Sequence, residues 1–193
     1  MKQIKPSGSW LILGVGDGRY IPEIGMTTHG LVATDIDSNT LRKLRATARE
    51  QVSRFTCKRL DVTRNFSFSD QYFDGVLCTG TLHLFKPKRL RHVVKETKRV
   101  LKPGGQLLFD FATNVRRQRN GETIEHKKGA SQYRLTEAKK IWKKTLIGFE
   151  SRISSHDVPL QKIGTGSRAY FFSSKYLLIH ATKKTNENKS CLG

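Results

Sequence analysis

Gly14, Gly16 and Gly18 stand at alternate positions directly after the apolar run Trp10 to Leu13, and Asp35 follows 17 residues past Gly18. A glycine turn that closes a buried strand lets backbone approach a ligand closely. A carboxylate at the end of the next strand can accept both hydroxyls of a ribose, as in nucleotide-binding α/β folds. Asp61 follows a third strand-like stretch, Phe55 to Arg59, where a side-chain acceptor can reach the amino group of an adenine. Singly, each glycine reads as a turn and each aspartate as a helix cap. In register, they describe an adenosine-containing ligand in the crevice at the carboxyl ends of an open α/β sheet. A dinucleotide fingerprint wants glycine at its sixth position, where the helix N-terminus meets a pyrophosphate. Arg19 occupies that position, so the turn suits an amino-acid portion better than a diphosphate.

The elements that must position these residues alternate. The apolar run Trp10 to Leu13 predicts a buried strand, and a helix from Arg19 to Ile24 follows, with Pro22 near its start. Leu31 to Thr34 is the next strand. Ser38 is placed to cap a helix over Asn39 to Glu50, with Leu41 and Leu44 on one face. Phe73 to Cys78 is a strand, Leu90 to Leu101 an amphipathic helix, and Lys102-Pro-Gly-Gly105 a break before the strand Gln106 to Phe111. Such alternation predicts an α/β fold with a doubly wound, Rossmann-like sheet. The last third predicts a polar segment over Asn114 to Tyr133. In it, Glu122 to His126 and Ser131 to Leu135 are expected to pair as a hairpin. A helix from Thr136 to Ile147 and strands over Phe149 to Ser155 and Tyr170 to Thr182 follow. The expected organisation is one domain over residues 1–183, with 114–134 inserted as a substrate cap and 184–193 as a tail.

Composition narrows the class. The chain has 193 residues, enough for one domain with a real core. No apolar run reaches the roughly 18 residues of a membrane helix. Cys57, Cys78 and Cys191 have neither disulfide nor metal-ligand spacing, as expected of reduced thiols in a cytoplasmic protein that binds no metal. Lys and Arg number 36 against 16 acids, a formal charge of +20. A surplus of this size favours polyanions such as RNA, or simply gives a basic surface.

At this level the sequence resembles the class I S-adenosylmethionine-dependent methyltransferases, closest to the type 11 group. Trp10-Leu-Ile-Leu-Gly-Val-Gly-Asp-Gly18 is similar to their first motif and Val32-Ala-Thr-Asp-Ile-Asp37 to the second. Leu60-Asp-Val62, the block from Phe73 to His83, and Arg99-Val-Leu-Lys-Pro-Gly-Gly105-Gln-Leu-Leu-Phe109 are similar to the remaining ones. The resemblance covers residues 10 to about 111. It implies a seven-stranded, mostly parallel sheet whose last strand is antiparallel, and S-adenosyl-L-methionine as cofactor. It implies that Asp35 holds the ribose, Ile36 packs on the adenine, Asp61 and Val62 meet the adenine edge, and Thr79 or Gly80 faces the methionine portion. Two departures stand out. Ile12 occupies the position where the family carries an acid, leaving Asp17 as a substitute for neutralising the methionine ammonium. Only nine residues precede Trp10, where the family places lidding helices, so either the lid comes from elsewhere, a partner protein being one expected source, or the site is unusually open.

Methyl transfer needs alignment of the acceptor with an already activated carbon more than it needs acid–base help. His83, after the fourth strand, is the candidate general base, with a packing role in its turn as the alternative. Asp110, Asn114 and Arg116 are substrate-binding candidates at the end of the fifth strand. The first expected acceptor is a small or medium-sized metabolite, with RNA as the alternative and Tyr133 and Tyr170 as aromatics near the mouth. A partner subunit without independent activity is the non-enzyme reading. Cys78-Thr-Gly-Thr81 stands where adenine-amino methyltransferases of nucleic acid carry an Asn-Pro-Pro-Tyr type tetrapeptide, and there is no Pro-Cys pair of the kind used on cytosine carbon 5.

Overall fold

A computed structural model describes residues 5–48, 55–124 and 132–185. Its strands are β1 (Ser9–Leu13), β2 (Gly30–Asp35), β3 (Phe55–Arg59), β4 (Phe73–Cys78), β5 (Leu101–Arg119), β6 (Glu122–Thr123), β7 (Phe149–Ile163) and β8 (Tyr170–Lys183). Its helices are α1 (Ile21–Gly25), α2 (Ser38–Ala48), α3 (Pro87–Val100) and α4 (Leu135–Thr145). The sheet order is β3-β2-β1-β4-β5-β8-β7, with β6 attached to β5. β1 to β5 are mutually parallel, and β8 inserts antiparallel between β5 and β7. The main path is therefore the expected seven strands with the last antiparallel, and the short β6 makes an eighth.

Short apolar runs become fully buried strands because both faces of the sheet are covered there. On one face, α1 and α2 bring Ile21, Ile24, Leu41 and Leu44 against Trp10, Ile12, Leu31 and Ala33. On the other, α3 and α4 bring Val93, Val94, Ala138 and Trp142 against Leu11, Val76, Phe109 and Phe111. Ile12 is thus a core residue, 3% exposed.

Several expectations are corrected. The carboxylate of Asp37, not Ser38, caps α2, accepting from Asn39 N–H at 2.8 Å and Thr40 Oγ1 at 3.0 Å. α3 begins at Pro87, with proline in its first turn. Lys102 to Gly105 loops out of the parallel ladder between the pairs Phe73–Leu101 and Gly75–Gln106, and Lys102 is pinned there by Asp74 at 2.8 Å. β5 does not stop at Phe111. It runs on through residues 114–119, the start of the stretch expected as a cap, and its end pairs with Glu122–Thr123. That pairing replaces the expected hairpin with Ser131 to Leu135, and residues 125–131 lie outside those described. β7 continues past Ser155 and through Pro159 by bulging between Val158 and Gln161. The tail beyond residue 185 is likewise outside the described residues. Among the described residues no helix is long and apolar enough to cross a membrane, and no cluster of His, Cys, Asp or Glu is arranged to hold a metal.

Candidate methyl-transfer site

The carboxyl ends of β1, β2, β4 and β5 enclose a cavity of about 670 Å³, lined by residues of the glycine turn, Asp35, Thr79 to Thr81, Asp110 and Tyr176. The glycine turn shapes its floor. Gly14, at φ +65°, is packed so closely on the Thr81 side chain that a β-carbon would collide with it. Gly16, at φ +55°, has nothing within 4 Å of where a β-carbon would stand. Its backbone is therefore open to a ligand, in a conformation that L residues rarely adopt. Gly18 is hemmed in by Leu44 of α2 and serves packing.

Asp35 is fixed by two backbone amides. Its Oδ2 accepts Gly16 N–H at 3.1 Å and its Oδ1 accepts Asp37 N–H at 3.0 Å. Each oxygen keeps a further lone pair for a ligand hydroxyl. Ile36 beside it is 57% exposed, an apolar surface open to a ligand. Asp61 and Val62 do not line the cavity. Asp61 Oδ1 accepts from both the backbone and the hydroxyl of Thr63, at 2.9 and 2.7 Å, and Arg64 stands 3.4 Å from Oδ2. The hydroxyl of Thr63, then its backbone amide, holds the Asp61 carboxyl below the usual carboxylate range. Val62 is buried in the core.

The other end of the cavity carries Asp110. Gly80 N–H donates to its Oδ1 at 2.7 Å. Burial pushes its carboxyl up to about 6, against the opposing pull of the Gly80 amide and of Arg19. Burial, then Asp110 itself, also raises the phenol of Tyr176 on β8, while Arg117 draws it down. Asp17 lines the cavity too, but Arg19 grips it at 2.8 Å with three hydrogen bonds from its guanidinium, and that bonding lowers its carboxyl. The expected substitute for the acid missing at Ile12 is already neutralised, whereas Asp110 has no cationic partner within salt-bridge distance among the described residues.

The remaining candidates separate. His83 sits in the 3-10 turn Leu82–Leu84 with its ring edge-on to Phe111 at 6.4 Å, outside the cavity lining. Asn114 ties strand to helix, its N–H donating to Tyr133 O at 2.9 Å and its Oδ1 accepting from Leu135 N–H at 3.2 Å. Asn114 and Arg116 line a second, larger groove of about 1040 Å³ further along β5, together with Arg117 and Arg134. Tyr133 is buried, its hydroxyl donating to Phe85 O at 2.6 Å, so it is not a mouth residue. Arg19, Thr81 and Tyr176 line the site, although the sequence reading assigns none of them to the cofactor. Only the alternation Phe172, Ser174, Tyr176 and Leu178 hints that Tyr176 faces the same side as Asp110.

A profile described as "Methyltransferase domain" matches residues 11–105. The fold matches a structure of SAM-dependent methyltransferases from Methanosarcina mazei, with a TM-score of 0.66, 19% identity and 96% of each chain covered. This is a class I, S-adenosylmethionine-dependent methyltransferase domain. The YcgJ protein of Bacillus subtilis has the same fold, at TM-score 0.68, 14% identity and 95% of each chain. Among curated sequences, "Probable tRNA methyltransferase 9B" of Bos taurus is 27% identical over 157 residues, 79% of this chain and 33% of that protein. The methyltransferase domain thus spans about a third of the length of that relative.

The site fits the cofactor on its own geometry. An open glycine at Gly16, a fixed acceptor at Asp35 and a carboxylate short of a cation at Asp110 suit, respectively, a close-lying chain, a ribose and a positively charged end.

Proposed function

We propose that this methyltransferase domain transfers the methyl group of S-adenosylmethionine to RNA. When bound, the cofactor supplies a methyl carbon already activated by its sulfonium. Asp35 accepts the ribose hydroxyls, Ile36 covers one face of the adenine, and Gly16 lets the chain of the ligand lie against backbone. Asp110 faces the cationic methionine portion in the place left apolar by Ile12. Its carboxylate is desolvated, and a nearby positive charge restores its ionised form. Tyr176 and Arg19 narrow the cavity and help keep water from the reacting atoms. None of these residues needs to move a proton for transfer to an acceptor that is already nucleophilic.

The observation that carries the acceptor is the basic groove further along β5. Arg116, Arg117 and Arg134 line it, a set that suits phosphates by bidentate, charge-assisted hydrogen bonds. The name of the bovine relative and the net charge of +20 support the same reading. A small anionic metabolite is the second reading, favoured by the same arginines if only one anionic group enters the groove. The test is transfer of labelled methyl from S-adenosylmethionine to total RNA and, separately, to a metabolite extract, both at physiological salt. Saturable incorporation into RNA is expected, with loss of most of it in Arg116→Ala. Incorporation confined to the metabolite extract overturns the RNA reading.

A further inference from the structure

One face of the sheet is covered unevenly. α1 and α2 lie over β1 to β3, and their core ends at Leu77 and Leu108. Beyond Leu108, the same face continues across β5, β8 and β7, where the described residues bring no helix over it. Register places Asp110 opposite Leu178, Arg117 opposite Phe172, His156 opposite Tyr176 and Arg152 opposite His180, all on this face. Leu178 is 43% exposed, and Arg152 and His156 are exposed on the edge strand. The groups are mutually close. The Arg117 guanidinium stands 6.0 Å over the Phe172 ring, its buried Nε is without a hydrogen bond among the described residues, and Ser154 Oγ lies 3.3 Å from His156 Nε2.

We propose that this open face, with Phe172 and Tyr176 at its centre and Arg117, Arg152 and His156 around them, is a docking platform for single-stranded RNA that leads the acceptor nucleotide to the cofactor cavity. The inference rests on the RNA reading given above and adds the place and strandedness of the substrate. Two kinds of group are interleaved here. Aromatic rings on a flat sheet stack unpaired bases of any sequence, and cations between them follow the phosphates. Charge supplies the complementarity: among the described residues, the acids that register puts on this face are Asp110, inside the cavity, Glu150, at the opposite end of β7, and Glu122, set opposite Arg119 of β5. Continuity supplies the direction. Tyr176 belongs to both the platform and the cavity lining, and Arg117 to both the platform and the basic groove. A strand lying along β8 therefore passes the cavity mouth at Tyr176.

The experiment is fluorescence anisotropy of the full chain with a short labelled single-stranded RNA and with a duplex of equal length, at physiological salt. Single strand is expected to bind more tightly than duplex. Phe172→Leu should weaken single-strand binding by about tenfold, the loss of one stacked base, and Phe172→Tyr should restore it. Arg152→Ala with His156→Ala, on the exposed edge, should weaken it by roughly fivefold through lost phosphate contacts. Binding of S-adenosylhomocysteine should stay unchanged in all of these. Lys139→Ala with Lys140→Ala, exposed on α4 against the other face, is the control for charge alone and should change binding by less than about twofold. If the α4 control weakens binding as much as the platform variants, or if Phe172→Leu binds as the wild type does, the platform is wrong while RNA as acceptor stands. If the wild type neither binds nor methylates RNA, both readings fall. A dimer abolished by Arg152→Glu would assign the face to a second copy of the chain and overturn the proposal.

Discussion

The backbone N–H of Gly80 donates to Asp110 Oδ1 at 2.7 Å, joining the ends of β4 and β5 across the cavity. This one amide does not offset the burial of the carboxylate, whose pKa stays raised to about 6 from 3.8. Between those values the folded protein binds more protons than the unfolded chain, so stability falls as pH rises through that window. The cost at neutral pH and above is about 3 kcal/mol, because each tenfold change in proton affinity is worth about 1.4 kcal/mol. Asp110→Asn keeps an acceptor for Gly80 and removes the charge. It should be more stable than wild type by up to that amount near pH 8, and nearly equal near pH 4. Denaturant unfolding at the two pH values checks this, and equal offsets at both would contradict it. The same variant should lose most of the rise in S-adenosylmethionine affinity expected in the wild type as Asp110 ionises.

Asp35→Ala removes the acceptor assigned to the ribose and the anchor of the Gly16 amide. Affinity for S-adenosylhomocysteine should drop by about 1.5–3 kcal/mol, the range for hydrogen bonds to a charged group. Asp35→Asn should fall between Ala and wild type. Calorimetry on the three proteins decides it, and unchanged affinity in the alanine variant removes Asp35 from the site.

Asn114 sits at φ +49° and caps α4 from outside the helix. Asn114→Ala should therefore destabilise by roughly 1–2 kcal/mol, combining a lost cap and a strained backbone. Asn114→Gly, which relieves the backbone, should cost less. Thermal unfolding orders the three. The reverse order would show that the backbone conformation is not what Asn114 provides.

Arg99 gathers Glu96 at 2.8 Å, Asp70 at 2.6 Å and the carbonyls of Phe66 and Phe68, while Glu96 also accepts Phe66 N–H at 2.8 Å. Arg99→Met leaves the nearly buried Glu96 without its cation and should cost about 2–4 kcal/mol. The side-chain bonds from Arg99 hold the Glu96 carboxyl below its usual range. Its contribution is therefore present above the ordinary carboxylate range and is lost as pH falls through the lowered value. Urea unfolding near neutrality and in acid should show the wild-type advantage over Arg99→Met shrinking at low pH.

The parallel half of this fold is legible in the sequence because its strands are buried on both faces. Trp10 to Leu13 and Phe73 to Cys78 read as apolar runs, and the glycine turn marks where the first one ends. The outer half is not. β7 carries polar residues on both faces, and Pro159 reads as a terminator, yet the strand passes it by bulging. β5 reads as ending early because Asn114 looks like a loop residue, whereas its left-handed backbone sits inside a bulge of a continuing strand. In the site, the glycine turn and Asp35 come together as their spacing suggests. Spacing does not show that Thr63 and Arg64 occupy Asp61, or that Tyr133 turns inward to Phe85 while Tyr176 faces the cavity. Those outcomes depend on which partner lies within reach once the chain is folded.

β8 runs unbroken from Tyr170 to Lys183, but both of its neighbours bulge at one level, β5 between Thr113 and Arg116 and β7 between Val158 and Gln161. The ladders on its two sides are interrupted around Ser174, so the three strands cross that line with their pairing weakened on both sides of β8. The outer ribbon is therefore expected to open as a unit of its own, ahead of the parallel sheet. Its amides, at Arg117 and Phe172 for instance, should exchange with solvent through local opening. Those of Leu107 and Ile179 should exchange only when the whole domain unfolds.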